Sequence, residues 1–310
     1  MWFFRLIRWP NLLIIILTQV LVRYCVINPF MKKAGAISHF PFSLFALLVL
    51  ITVLIAAAGY IINDYFDIRI DRINKPGKMV LGKNIEPRQG ILLHWVFNIL
   101  AAVLGFYLAY RVGALRLGLV FPLIAGILYM YSAKYKRSLL AGNVVVSLLS
   151  AMVVVMVWLF EYYMIRNTGA GIDLFASRIS VVVWLYAAFA FMVSFVREVV
   201  KDIEDMEGDR EAGCKTIPLT AGIPAARNIA LACTIFTMLL LAFGQYLALT
   251  QGLKIIFWYY VLPVQIMMIN LLLMINKSVD PVDFRAPGNL AKMIMLAGVI
   301  GMQLFCLTLR

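Results

Sequence analysis

An all-α, multi-pass membrane protein is expected, with about nine transmembrane helices around a central cavity and a cytoplasmic cap, in a single domain over residues 1–310. Three observations predict it. The 310 residues are 64% apolar and only 14% charged, beyond the range of soluble domains. The apolar residues come in runs of the roughly 20 that a membrane span needs. The basic residues collect between those runs rather than within them.

The opening "MWFFRLIRWPNLLIIILTQVLV" starts like a secretory leader, but its apolar run continues to about Val26 with no small-x-small cleavage site, so it reads as a retained first span. The yardstick then places spans at 11–28, 41–63, 91–110, 113–131, 139–160, 179–200, 226–250, 254–275 and 289–309. The fourth is the weakest. It follows the third directly after Arg111 and carries Arg116 near its start.

A net charge of +13 in a soluble protein would suggest a nucleic-acid partner; here the charge lies between spans, where it sets orientation, and no nucleic acid is expected. Cys25, Cys233 and Cys306 lie in apolar runs and Cys214 in a polar loop, with no C-x-x-C pair, so neither a disulfide framework nor a zinc site is implied. His39 and His94 are the only imidazoles and stand far apart, which argues against histidine chemistry. With the N-terminus cytoplasmic, the N-terminus and the loops after spans two, four, six and eight hold most Lys and Arg. The opposite loops hold about half as many. The long loops 64–90 and 197–225 therefore face the cytoplasm, in what is expected to be the cell (inner) membrane.

Those two loops also hold most of the acid. "NDYFDIRID" places Asp64, Asp67 and Asp71 at D-x-x-D-x-x-x-D spacing, and "DIEDMEGD" repeats that spacing with Asp202, Asp205 and Asp209. On a helix, each trio falls within roughly 60° of one face. An arginine follows each trio, Arg72 and Arg210. A single D-x-x-D at a span end is commonly a solvated turn; two matched trios on the same side of the membrane point to function.

Converging carboxylates raise one another's pKa unless a cation compensates. All-oxygen donors suit Mg²⁺, which binds through a few carboxylates plus substrate phosphates and keeps waters. Facing trios could thus clamp a diphosphate, with nearby Lys and Arg stabilising a departing pyrophosphate. Lys75, Lys83 and Arg88 read as orientation charges.

"NDYFDIRIDRINKP" and "REVVKDIEDMEGDREAGCKT" resemble the two signature motifs of the UbiA superfamily of intramembrane prenyltransferases, and nine spans with loops after the second and sixth agree with that family's architecture. The resemblance covers nearly the whole chain. It implies a magnesium-dependent enzyme that transfers a prenyl group from a prenyl diphosphate to an acceptor. Carried over, Asn63, Asp67, Asp71, Asp205 and Asp209 form the metal-linked core, with Asp64 and Asp202 supporting. Arg72, Lys78, Lys201 and Arg210 stand near the phosphates. "YSAKYKR" resembles the family's segment after span four, which implies Tyr131 near the allylic carbon and Lys136 or Arg137 near phosphate. "RWPN" resembles the first-span motif and implies Arg8 and Asn11 near the acceptor.

Within the family, the second motif is most similar to the subgroup that alkylates the free hydroxyl of geranylgeranylglyceryl phosphate. One departure stands out: that subgroup continues its first motif with "RPDRPIPSG", and this chain has "KPGKMVLGK". Lys78 replaces the arginine's charge without its planar fork. The expected activity is therefore transfer of a prenyl group, geranylgeranyl by this likeness, to a lipid acceptor, with Mg²⁺ as cofactor and Mn²⁺ as a substitute. Rival readings are prenylation of an aromatic acceptor in quinone biosynthesis, a CDP-alcohol phosphotransferase, whose D-G-x-x-A-R opening is absent, and a divalent-cation transporter. Against the last, the acids sit at span ends rather than mid-span.

Overall fold

The computed structural model describes residues 2–68, 71, 77, 79–167 and 173–309. Among them are nine helices long and apolar enough to cross a membrane: α1 (Trp9–Lys33), α2 (Phe42–Phe66), α3 (Pro87–Arg111), α4 (Leu115–Ala133), α5 (Ala141–Asn167), α6 (Ala176–Glu204), α7 (Ile223–Thr250), α8 (Lys254–Lys277) and α9 (Pro281–Thr308). Each expected span falls on one of these. The helices overrun the apolar runs by several residues, because backbone hydrogen bonding carries on into polar sequence where a cap packs against it. The fourth span, despite Arg116, is a helix like the rest.

Two helices act as hubs. α2 packs against α1, α3 and α4, and α6 packs against α5, α7 and α9. Buried residues of all nine helices join one apolar cluster. α9 runs antiparallel to α6 in a register visible at two glycines. A Cβ on Gly298 would stand 2.4 Å from the Phe189 ring, so only glycine permits that approach, and one on Gly288 would stand 3.7 Å from Val200.

α1 contains a π-helical turn, Val22–Ile27, that turns Arg23 inward. Its guanidinium donates to the Phe40 carbonyl, lies 4.5 Å from the Phe45 ring centre, and faces Glu161 of α5. Glu161 also accepts from the Ser38 hydroxyl. This knot ties α1, the α1–α2 connection and α5 together at one end of the bundle.

A polar cap closes the other end. A short helix, Trp2–Leu6, precedes α1, and the segment before α3 turns on itself at Gly82, whose φ of 81° is costly for any residue with a Cβ. Leu6, Ile61, Val80, Leu81 and Ile85 form a second, smaller apolar cluster that seats this cap on α2. Helices Met206–Glu211 and Ile217–Ala221 follow α6 on the same side.

Candidate active site

Both acidic trios straddle a helix end in the same way. α2 stops at Phe66, and Asp67 takes φ −90°, ψ 0°. The helix of which α6 is part stops at Glu204, and Asp205 takes φ −91°, ψ 9°. The N–H of each middle aspartate still donates four residues back, Asp67 to Asn63 and Asp205 to Lys201. Each carbonyl accepts from the last aspartate of its trio, Asp71 at 2.8 Å and Asp209 at 3.1 Å. The trio is therefore not on one unbroken helix, as its spacing suggested; the chain kinks at the central residue while that residue's own N–H and carbonyl keep their four-residue bonds.

Side chains distant in sequence converge on these ends. Arg8 pairs with Asp64 at 2.5 Å and lies 5.1 Å from the Tyr60 ring centre. Its backbone is left-handed, φ 51°, a conformation costing about 1–2 kcal/mol outside glycine. The kink between Trp2–Leu6 and α1 swings the guanidinium over α2. Lys136, from the turn after α4, pairs with Asp67, which also accepts from Asn63 Nδ2 at 2.8 Å. Across the gap, Asn143 of α5 donates to Asp202 at 2.8 Å. Arg197 donates to Glu198 at 2.5 Å.

Apart from Tyr60, these groups line one cavity of about 730 Å³ beneath the cap. Of the residues expected at the site, Arg8, Asn11, Asn63, Tyr131, Lys136 and Lys201 line it, as do all six aspartates of the two trios. Arg137 and Arg210 are exposed and do not line it. Arg137 reaches the Phe66 carbonyl only at 3.5 Å, and its own carbonyl accepts from Lys215, joining two loops of the cap. Arg72 and Lys78 lie outside the described residues. Sequence reasoning missed Glu198 and Asn143 and took Arg197 for an orientation charge. The signal for Glu198 was a carboxylate inside an apolar run, one helical turn before Asp202. Asn143 carried no local signal.

Below this polar chamber lies an apolar one of about 340 Å³, bounded on its deep side by residues such as Thr18, Phe121, Tyr186 and Met302. Arg8, Asn11, Asn63, Tyr131, Arg197, Glu198 and Lys201 line both, so the two meet at the level of Tyr131.

The polar chamber carries seven carboxylates and five Lys or Arg among its described lining. Burial pushes the Asp209 carboxyl up to about 6, the charges of Asp205 and Asp67 push the same way, and Lys136 opposes them. An acid of the first trio thus acts on one of the second. Among the described residues no three acid, His or Cys side chains are gathered closely enough to cage a metal. The all-oxygen donors fit a hard divalent ion that takes one or two carboxylates and completes its shell with water and phosphate oxygens; they do not form an all-protein cage.

The model of the UbiA prenyltransferase family matches residues 34–293. Over 261 residues the chain is 28% identical to digeranylgeranylglyceryl phosphate synthase of Methanoregula boonei, covering 82% of this chain and 83% of that protein. It is 31% identical over 219 residues to the same-named protein of Methanosarcina mazei, covering 70% and 68%. A solved structure of digeranylgeranylglyceryl phosphate synthase in membranes superposes with a TM-score of 0.66 at 22% identity, over 97% of this chain and 98% of that one. A UbiA homolog from Archaeoglobus fulgidus bound to DMAPP and Mg2+ superposes with a TM-score of 0.55 at 18% identity, over 97% and 99%. At such identities these two structures establish a shared fold.

Proposed function

We propose, for a chain that belongs to the UbiA prenyltransferase family, that it transfers a geranylgeranyl group from its diphosphate to the free hydroxyl of geranylgeranylglyceryl phosphate and releases pyrophosphate. The observation that carries the reading is the meeting of two matched acidic helix ends, from α2 and α6, over one cavity that opens at Tyr131 into an apolar chamber. The relatives' name supports the acceptor, and the Archaeoglobus homolog, solved with DMAPP, with GPP and with Mg2+, supports the donor class and the cation.

Asn63 and the carboxylates Asp64, Asp67, Asp71, Asp202, Asp205 and Asp209 are the groups that would hold Mg²⁺. When bound, Mg²⁺ supplies positive charge at the phosphate oxygens as the C–O bond breaks. Lys136 and Lys201 add protein cations to the same oxygens and favour departure of the pyrophosphate. The ion pair of Lys136 with Asp67 supports that role. Tyr131, at the junction of the chambers, presents an aromatic face to the allylic carbon, and the ring quadrupole favours a carbon bearing positive charge. The apolar chamber takes the prenyl tail and keeps water from the electrophile. The acceptor oxygen forms the new C–O bond as the diphosphate leaves, and its proton passes to solvent or a neighbouring carboxylate.

The positive-inside pattern supports a cytoplasmic position for the cap. The segment "KPGKMVLGK" departs from the subgroup pattern, which keeps an aromatic acceptor as the second reading. The deciding experiment incubates purified protein, Mg²⁺ and radiolabelled geranylgeranyl diphosphate with geranylgeranylglyceryl phosphate or with an aromatic acid. A labelled dialkylglyceryl phosphate product is expected; a prenylated aromatic product instead would replace the reading.

A further inference from the structure

Lys292 and Arg197 have no part in the diphosphate contacts assigned above. Lys292 of α9 and Arg197 of α6 both line the apolar chamber, and Lys292 is absent from the lining of the polar one. The register of the two helices sets their level. Gly288 lies beside Val200 and Gly298 beside Phe189, so Lys292, one turn from Gly288, comes level with the turn that holds Arg197. Along α6 that turn lies about 7–12 Å from Asp202 and Asp205.

Lys292 is exposed, and a lysine along a membrane helix is costly unless it reaches water or an anion. The group level with Lys292 on α6 is Arg197, another cation. Arg197 gives one N–H to Glu198, and its five-donor fork keeps capacity beyond that bond. With Glu198 as the carboxylate bound to Arg197, the pair keeps an excess of positive charge at the junction of the polar and apolar chambers.

We propose that Lys292 and Arg197 form an anion site for the headgroup phosphate of the acceptor, separate from the site for the donor diphosphate. The inference rests on the lipid-acceptor reading above and deepens it. A phosphate held between α6 and α9 leaves the acceptor's alkyl chain in the apolar chamber and turns its hydroxyl toward Tyr131, where the donor's allylic carbon lies. It also gives the enzyme a way to tell a phosphorylated lipid alcohol from a neutral one. The competing account of Lys292 is a side chain that snorkels to the membrane interface and binds nothing.

The test compares wild type with Lys292→Gln and Arg197→Gln, using geranylgeranyl diphosphate as donor and, as acceptors, geranylgeranylglyceryl phosphate and the same lipid without its phosphate. Loss of one charge-assisted contact predicts that Lys292→Gln raises KM for the phosphorylated acceptor at least about tenfold. Donor KM should stay within about twofold, which also shows that the variant is folded. The preference for phosphorylated over neutral acceptor should shrink by the same factor, and Lys292→Arg should restore it. An unchanged acceptor KM in Lys292→Gln, or donor and acceptor KM rising together, overturns the anion site and leaves the prenyl-transfer reading standing. A wild type that alkylates only an aromatic acid overturns the lipid-acceptor reading. The anion site then survives only if Lys292→Gln raises KM for that acid and not for its methyl ester.

Discussion

Asp67 and Asp205, 138 positions apart in the sequence, share one backbone conformation at the ends of the two hub helices, φ −90°, ψ 0° against φ −91°, ψ 9°. Each ends its helix while its carbonyl still accepts from the last aspartate of its own trio. The two trios are the same local structure built twice and turned to face one cavity. If the proposed function holds, a diphosphate in that cavity meets carboxylates from both trios, and the two act as one site.

Asp67→Asn and Asp205→Asn should therefore each lower kcat/KM by at least about a hundredfold, and the double variant should be scarcely worse than the worse single one. Folding should survive, because Asn keeps the volume and relieves like-charge repulsion. Steady-state kinetics on protein with a wild-type melting profile checks this. Losses that multiply would show two independent sites.

Turnover should stop in EDTA and return on adding Mg²⁺, with Mn²⁺ also effective, since both prefer oxygen donors. Labelled product formation after exhaustive chelation is the measurement. Full activity in the chelated sample would remove the metal from the mechanism.

Lys136→Ala should raise donor KM by about tenfold or more, through loss of a charge-assisted contact to phosphate. Lys83→Ala and Arg210→Ala, both exposed and neither lining the cavity, should change it by less than about threefold. Donor titrations of the three proteins decide the matter, and equal small effects would reduce Lys136 to an orientation charge.

Tyr131→Phe keeps the ring and should hold the rate within about tenfold, whereas Tyr131→Leu removes the quadrupole and should cost more than that. Single-turnover rates at saturating donor separate the two. Equal losses in both variants would assign the role to the hydroxyl instead.

How far the sequence reaches is clearest at these same residues. Apolar runs of the right length located all nine helices, because in a bilayer each span must satisfy its own backbone hydrogen bonds and be apolar enough to dissolve there. The repeated aspartate spacing singled out the two trios that line one cavity. These are properties of contiguous sequence. The pairing of Arg8 with Asp64 and of Lys136 with Asp67, the contact of Asn143 with Asp202, and the level of Lys292 beside Arg197 were not legible. Each joins residues on different helices, and which helices meet, at what register, depends on packing such as Gly298 against Phe189. Even the kink at Asp67 escaped the helical periodicity, since its N–H and its carbonyl both keep four-residue bonds. The sequence by itself determined which segments form the long apolar helices and where the two aspartate trios fall between them; the tertiary structure decided which cations answer those carboxylates, because charges find partners through space and not along the chain.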